Sequence, residues 1–312
     1  MVTIGLLTVI VLGLLLMFNQ TQRAFRSSMT QTDVLEAGRA TMDMVARELE
    51  QMSPSEAPDY LDNLGIWRRA TNFFVEPSTT SFNYNSPGPF SWRQPLLQEL
   101  PGNTAVPRTN LVQRFYFLSK LNQDWVGTGY EVVPDDANEC VGTLYRYAGT
   151  NYPRGFLLPL SAQFLPSSVT NRSRIADGIV HLRVRAYAAN GRLVTTNYLT
   201  GTNAMYQLGY AGPYTNVHNA VVYGSAAPAY ASRADLLQAA CYFMSNAVPA
   251  YVELEMGILE PQVLQKYRSI AQQASSAALK NAALLYLSNH VAQVHLFRQR
   301  IPIRNVDLSA YP

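Results

Sequence analysis

The stretch that decides the fold is MVTIGLLTVIVLGLLLMF (residues 1–18), which runs without a break into NQTQRAFRSSMTQTDVLEAGRATMDMVARELEQM (residues 19–52). The first charged residue is Arg23. An uncharged helix of about 22 residues rises about 33 Å, enough to cross the hydrocarbon core of a bilayer. A cleaved secretory signal would begin with a basic stretch and end in small residues, unlike Met17-Phe18-Asn19-Gln20. We therefore expect residues 1–22 to form the transmembrane part of an N-terminal helix.

The second half of this stretch predicts that the helix continues beyond the apolar run. It contains no proline and one glycine, Gly38. Apolar residues recur every three or four positions while charged residues take other faces, as in an amphipathic helix. Ser53-Pro54 ends the pattern, because proline disfavours helical conformation in the residue before it. We expect residues 23–52 to continue the helix, although an ordinary membrane anchor with a stalk fits the same pattern.

Composition excludes two classes of protein. Of the 312 residues, 14% are charged and the formal net charge is +3, while 48% are hydrophobic. Intrinsic disorder needs low hydrophobicity and high net charge, and a basic nucleic-acid-binding protein needs a concentrated excess of Lys and Arg. Neither condition is met, so we expect a folded chain that does not bind nucleic acid directly.

The remainder, residues 53–312, has the pattern of a β-rich domain. Residues 53–111 are rich in Pro, Ser, Asn and Thr, which predicts loops with a few short strands. Short β-branched and aromatic runs bounded by turn residues then predict antiparallel strands. The predicted strands include Gln113–Ser119, Tyr130–Val133, Thr143–Ala148, Ile179–Tyr187 and a strand within 247–261.

The clearest strand is Ile179–Tyr187. Its Val180, Leu182 and Val184 alternate with polar residues, which indicates one buried and one wet face. We expect His181 to lie exposed on the wet face. The Asn190-Gly191 pair that follows predicts a hairpin turn.

Two further segments complete the predicted organisation. Residues 197–233 are rich in Tyr, Gly, Ala and Asn, which predicts a long surface insertion. Residues 263–287 carry an apolar stripe after Glu260-Pro261, which predicts one helix packed on the sheet. The predicted fold class is α+β: a long membrane-spanning N-terminal helix, then an antiparallel β-rich domain with loop insertions and one helix near the C-terminus.

No constellation of catalytic or metal-ligating residues is recognisable in the sequence. His290 and His295 are five apart and have no cysteine or acidic neighbour at zinc-ligand spacing. The acidic turn of Asp135, Asp136 and Glu139 lacks a calcium-loop motif, so we interpret it as solvated. We expect no enzyme activity, no cofactor and no metal.

The two cysteines leave two interpretations open. Cys140 and Cys241 pair if the domain lies in an oxidising compartment and their positions allow it. Two buried free thiols are the alternative.

Five segments carry a resemblance to the type IV pilin-like family. MVTIGLL (residues 1–7) is similar to the inner part of the pilin N-terminal signature, and residues 32–52 resemble the later first helix of pilin W-type minor pilins and of minor pseudopilin J of type II secretion. DGIVHLRVRAYAANGRLV (residues 177–194) and AVPAYVELEMGILEP (residues 247–261) resemble strands of the same pseudopilin. VHLFRQRIPIRN (residues 294–305) resembles the closing strand of larger relatives. On this alignment, the basic leader, its cleavage site and a glutamate upstream of Met1 are expected outside the given sequence.

The resemblance implies a minor pilin or pseudopilin. Such a subunit assembles through its N-terminal helix into a type II secretion pseudopilus or type IV pilus-like filament, near the tip. Its implied partners are other pilin subunits, the inner membrane and the inner-membrane assembly platform. Its implied location is the bacterial inner membrane, single-pass, with a periplasmic C-terminal domain. The residues implied for membrane insertion and assembly are Ile4, Leu7, Val11, Leu14, Leu15 and Phe18.

A second function class stays open at this point. A membrane-anchored binding or adhesion module would use the tyrosine-rich loops to recognise a surface or a carbohydrate.

Overall fold

The structure, a computed structural model, describes part of the chain. The described residues are 2–55, 60–61, 67–68, 71–77, 96–100, 103–110, 112–122, 124–134, 141–151, 172–191, 193–194, 220–223, 240–244, 246–273 and 277–308. Several sequence-based predictions lie outside them: Cys140, the acidic turn of Asp135, Asp136 and Glu139, and most of the predicted insertion at 197–233.

A single helix, α1 (Val2–Leu49), begins the described chain. It contains no proline, and its threonine hydroxyls bond back to the carbonyl four residues earlier, as Thr21 does to Met17 at 2.8 Å. After the helix, Met52 forms a bridge with Ser119, and the Ser53 amide donates to the Leu118 carbonyl at 2.9 Å. The chain thus passes directly from the helix into the β domain, as the sequence predicts.

The predicted membrane span is wrong. Among the described residues, no helix is both long and apolar enough to cross a membrane. The prediction counted the residues after Phe18 as part of the span, although their hydrogen-bonding side chains are costly to bury in hydrocarbon. Those residues are Asn19, Gln20, Thr21 and Gln22.

Thirteen strands are found in the described residues. In chain order they are β1 Tyr60–Leu61, β2 Trp67–Arg68, β3 Thr71–Pro77, β4 Leu96–Leu100, β5 Asn103–Asn110, β6 Gln113–Leu121, β7 Asp124–Pro134, β8 Gly142–Asn151, β9 Arg172–Tyr187, β10 Ala220–Tyr223, β11 Ala240–Met244, β12 Tyr251–Leu259 and β13 Val294–Pro302. The strands predicted at 113–119, 130–133, 143–148 and 179–187 are confirmed. Residues 53–111 hold more strand than predicted, because β1 to β5 all lie there.

Nine of these described strands form one antiparallel sheet in the order β10-β11-β3-β6-β7-β8-β9-β12-β13. Strands β6 and β9 are separated by two others in this order, yet Val112 forms a bridge with Leu182. Next to it, Gln113 Oε1 accepts a hydrogen bond from the Val184 amide at 2.6 Å. The sheet is therefore strongly curled between β6 and β9. Hairpins β1–β2 and β4–β5 pair separately.

The main core lies between the C-terminal half of α1 and the inner face of the curled sheet. From α1 it takes Val34, Met42, Val45 and Leu49, all nearly inaccessible to solvent. The sheet supplies aromatic and aliphatic side chains from eight strands, because alternate residues of each strand point to the same face. They include Phe73, Phe115, Phe117, Tyr130, Leu144, Leu182, Val184, Phe243, Leu254 and Met256.

A β-bulge lets β9 contribute to two cores. Gly257 pairs with His181 and Ile258 with Ile179, so Val180 is an extra residue in β9. Ile179 and Leu182 consequently both face the main core, while Val180 packs in a second cluster. Leu259 of β12 joins that second cluster on the opposite face from Ile258.

Two helices, α2 (Pro261–Gln272) and α3 (Ala277–Asn289), cover the second cluster. The single helix predicted for 263–287 is therefore two helices. Proline at the first position of α2 suits a helix start, because no backbone N–H is needed there. The apolar stripe packs internally as expected through Leu264, Tyr267, Ala283 and Leu287, whereas Leu285 is exposed.

Candidate functional site

The first part of α1 stands clear of the β domain with its apolar side chains exposed. We call residues 2–30 of α1 the stalk; the first buried residue described after it is Val34. The stalk's large apolar side chains are 47–69% exposed and occur at consecutive positions, so they cover every side of the helix. They are Leu7, Ile10, Val11, Leu12, Leu14, Leu15, Leu16, Met17, Phe18, Phe25 and Met29.

The structure places the predicted assembly residues on this one surface. Leu7, Val11, Leu14, Leu15 and Phe18 are all exposed on the stalk. Ile4 is part of the same helix, but its side chain lies outside what the structure describes.

Two stalk residues were missed by the sequence analysis. Phe25 is 67% exposed and Met29 is 56% exposed, although both lie in a polar stretch. Their spacing of four residues places them on one helix face, and this spacing is the signal that would have found them.

The charged residues near the base of the stalk form two separate pairs. Arg23 and Arg26 are exposed, as are Asp33 and Glu36, and none of the four side chains has an ion-pair or hydrogen-bond partner among the described residues. Within each pair, a spacing of three residues brings the side chains to one face.

Glu48 fixes the base of α1 to the sheet. Its carboxylate accepts hydrogen bonds from Arg146 Nε at 2.9 and 3.1 Å and from the Tyr130 hydroxyl at 2.6 Å. Arg146 Nη2 lies 2.8 Å from Glu48 Oε1. Burial, and then the Glu48 carboxylate beside it, raise the pKa of Tyr130. Charge-assisted bonds to two neighbouring strands define the orientation of the helix.

A close approach between α1 and β13 forms a second attachment. The ring of Phe297 packs directly on Gly38, where a Cβ atom would overlap it. Farther along the helix, Gln31 Nε2 lies 3.5 Å from Glu260 Oε1, which is itself 3.0 Å from His295 Nε2. Helix α1 is therefore attached to the β domain from Glu48 up to Gln31, and the stalk begins beyond this attachment.

The outer face of β9, β12 and β13 carries a cross-strand network of charges. Glu253 pairs with Arg185, and its Oε2 accepts from Arg298 Nη2 at 2.9 Å. Glu255 Oε1 lies 3.3 Å from both Arg185 Nη1 and Arg298 Nε. Each carboxylate of β12 is neutralised by arginines of the two neighbouring strands, and such cross-strand charge pairs stabilise a sheet.

His181 belongs to this network, so the prediction that it is exposed is wrong. It is 4% exposed, and its Nε2 lies 3.7 Å from Glu255 Oε2. The face predicted to be wet is polar as expected, but it is buried at this position.

A second set of charges is internal. Glu131 of β7 is 1% exposed, and its carboxylate lies 3.0 Å from Arg172 Nη2 and 3.6 Å from Arg114 Nη1. A buried acid between two arginines is compensated in place, so this set ties three strands together.

The described residues hold no group of three His, Cys, Asp or Glu side chains arranged to bind a metal ion. Cys241 is a buried thiol in β11, and burial raises its pKa to about 12. Its pairing with Cys140 stays a prediction, since Cys140 lies outside the described residues.

No protein-family model matches the chain, and no curated protein is significantly similar to it.

Proposed function

We propose that this protein is a pilin-like subunit that assembles into a filament by packing its stalk against the helices of other subunits. The observation that carries the proposal is the stalk itself: a helix that is apolar on every side, attached firmly to a folded domain and exposed over residues 10–18. A helix that is hydrophobic all round is stable when other apolar groups surround it.

Burial of the stalk supplies the driving force for assembly. Fully burying a leucine or phenylalanine side chain stabilises a complex by about 1.5–3 kcal/mol, and the stalk presents more than ten large apolar side chains. Helices bundled in a filament core satisfy this surface, while the β domain stays outside and provides lateral contacts. The mechanism is assembly and requires no catalytic group.

The order of the resembling segments along the chain supports the same proposal. The first helix, the β9 hairpin segment, β12 and β13 follow one another as in the pilin-like proteins that they resemble. The proposal therefore includes other pilin or pseudopilin subunits and an inner-membrane assembly platform as partners, with the β domain on the periplasmic side.

The test replaces one stalk leucine and one equally exposed leucine of the β domain. Leu14 is 61% exposed and Leu121, at the end of β6, is 63% exposed. The full chain is purified in mild detergent, the detergent is removed by dialysis, and association is measured by sedimentation and by capture of a differently tagged copy or of co-expressed pilin subunits.

We expect Leu14→Asp to weaken association at least tenfold, because a charge replaces a packed apolar side chain. Leu121→Asp serves as the control and should associate like the unmodified chain. Equal association of both variants, or none for the unmodified chain, would refute the proposed function.

A further inference from the structure

Helix α1 carries basic and acidic residues at a spacing that predicts how two copies pack together. Arg23 and Asp33 are ten residues apart, and so are Arg26 and Glu36. All four are exposed, and none has a charged partner within the described part of its own chain. Ten residues of helix correspond to an axial rise of about 15 Å, too far for contact within one helix.

We propose that neighbouring copies of this chain pack their α1 helices in parallel with an axial stagger of about ten residues, or about 15 Å. This inference rests on the proposed filament function. In this register, Arg23 and Arg26 of one copy lie opposite Asp33 and Glu36 of the next copy. Two charge pairs then form at each contact, in a region where water is partly excluded.

The same register gives Phe25 an apolar level to pack against. In it, Phe25 of the copy that contributes Asp33 and Glu36 lies at the level of Leu15 and Leu16 of the copy that contributes the arginines, and Met29 lies at the level of Asn19. Without a stagger, Phe25 and Met29 would meet only their own counterparts among polar neighbours. The apolar residues therefore favour an offset in the same direction as the charges.

The geometry of the helix leaves both charged faces accessible. Asp33 and Glu36 lie on the side of α1 roughly opposite Val34 and Leu49, which face the β domain. The basic face, which carries Arg23 and Arg26, lies about 80° around the helix axis from the acidic face, which carries Asp33 and Glu36. One copy can therefore contact one neighbour through its basic face and another through its acidic face, as a continuing filament requires.

A second copy of this chain is the partner that the charges indicate, because the chain carries both halves of the match at the same spacing. Above Asp33, the described helix has no acidic residue to meet the arginines. A neighbour in register without an offset would therefore place arginine against arginine, which is unfavourable.

The first test exchanges charges in the full chain and measures association as described for Leu14. We expect Arg26→Glu to weaken association about tenfold or more, since it places like charges together. Adding Glu36→Arg should restore association to within about threefold of the unmodified chain. The control combines Arg26→Glu with Asp43→Arg instead. This change alters the net charge equally, but Asp43 is an exposed residue that does not lie opposite Arg26 at this offset, so association should not be restored.

The second test locates the contact directly. Arg26→Lys provides an amine, and a water-soluble carbodiimide joins amines to carboxylates that are in contact. We expect mass spectrometry to identify a link between position 26 and Glu36 of another copy, because about 15 Å separates these positions within one helix.

The outcomes separate this inference from the proposed function. If association depends on Leu14 but the Glu36→Arg exchange gives no rescue, or if the link forms to another carboxylate or another protein, the stagger is wrong and the filament function stands. If the unmodified chain does not associate at all, both are wrong.

Discussion

Glu255 shows how one residue connects the outer network to the stability of the sheet. The approach of the His181 imidazole, and secondarily the Arg185 guanidinium, outweigh burial and hold the pKa of Glu255 at about 2, against an ordinary value of 4.5. A carboxylate whose pKa is lower in the folded state than in the unfolded state stabilises the fold above its unfolded pKa. This stabilisation is lost as pH falls from about 4.5 to about 2.

Glu255→Gln should therefore lower the free energy of unfolding at neutral pH by about 1 kcal/mol, after allowing for partial exposure to solvent. The variant should also lose less stability than the unmodified chain between pH 4.5 and pH 2. Urea unfolding at a series of pH values measures both effects. Glu36→Gln, at an exposed position without a described partner, is the control; pH profiles that stay parallel for Glu255→Gln would contradict the assignment.

The same residue scale shows where reasoning from sequence was limited. Alternation in β9 correctly predicted which residues face the main core at Leu182 and Val184. It could not predict that His181 is buried, because its partner Glu255 lies in β12, more than seventy residues later. Polar character in an alternating strand indicates which face is hydrophilic and does not measure exposure.

At the scale of elements, the contact between α1 and β13 depends on Gly38. Replacing glycine with alanine inside a helix normally stabilises it by about 1 kcal/mol, but here the new methyl group would overlap the Phe297 ring. We expect Gly38→Ala to destabilise the domain by about 1–3 kcal/mol, measured by urea unfolding.

Two controls separate the overlap from helix propensity. Gly13→Ala, where nothing lies within 4 Å, should be neutral or stabilising. Combining Gly38→Ala with Phe297→Leu should recover part of the loss, because the smaller side chain makes room. A Gly38→Ala variant as stable as Gly13→Ala would disprove the close contact.

The elements also differ in how well the sequence predicted them. The continuation of α1 to residue 49 and the strands at β6, β7, β8 and β9 followed from local patterns of period 3.6 or 2. The order of the sheet was beyond reach, because β11 pairs with β3 across more than 160 residues. The break between α2 and α3 was missed because an apolar stripe continues across it.

The apolar run was assigned to membrane insertion and assembly, and the structure shows that its Leu7, Leu14 and Phe18 are exposed on one helix. Their role in assembly stays a prediction. The same run was wrongly extended across polar Asn19 to Gln22 as a membrane span. The attachment of Glu48 to Tyr130 and Arg146 was missed, because these two partners lie 82 and 98 positions after Glu48 in the sequence.

At the scale of the whole molecule, the proposed function assigns association and folding to different halves of α1. Every described side chain before Val34 is at least partly exposed, so the stalk contributes little to the core. A chain that begins at residue 31 should melt within about 3 °C of the full chain and stay monomeric in sedimentation. A chain that begins at residue 44 lacks Val34 and Met42 from the core and should lose about 4 kcal/mol or more. A marked loss of stability in the shorter deletion would show that the stalk supports the fold.

Strand β13 lies at one edge of the described part of the large sheet, and edge strands readily pair with those of other molecules. Its outward side chains include Arg298 and Arg300, and Pro302 ends it without a backbone donor. Arg300 is held in place between Tyr187 and Tyr251, 4.6 and 4.5 Å from the two ring centres. In the proposed filament, many copies would lie close together, and a strand edge that carries arginines and ends in proline would disfavour strand-to-strand aggregation between them.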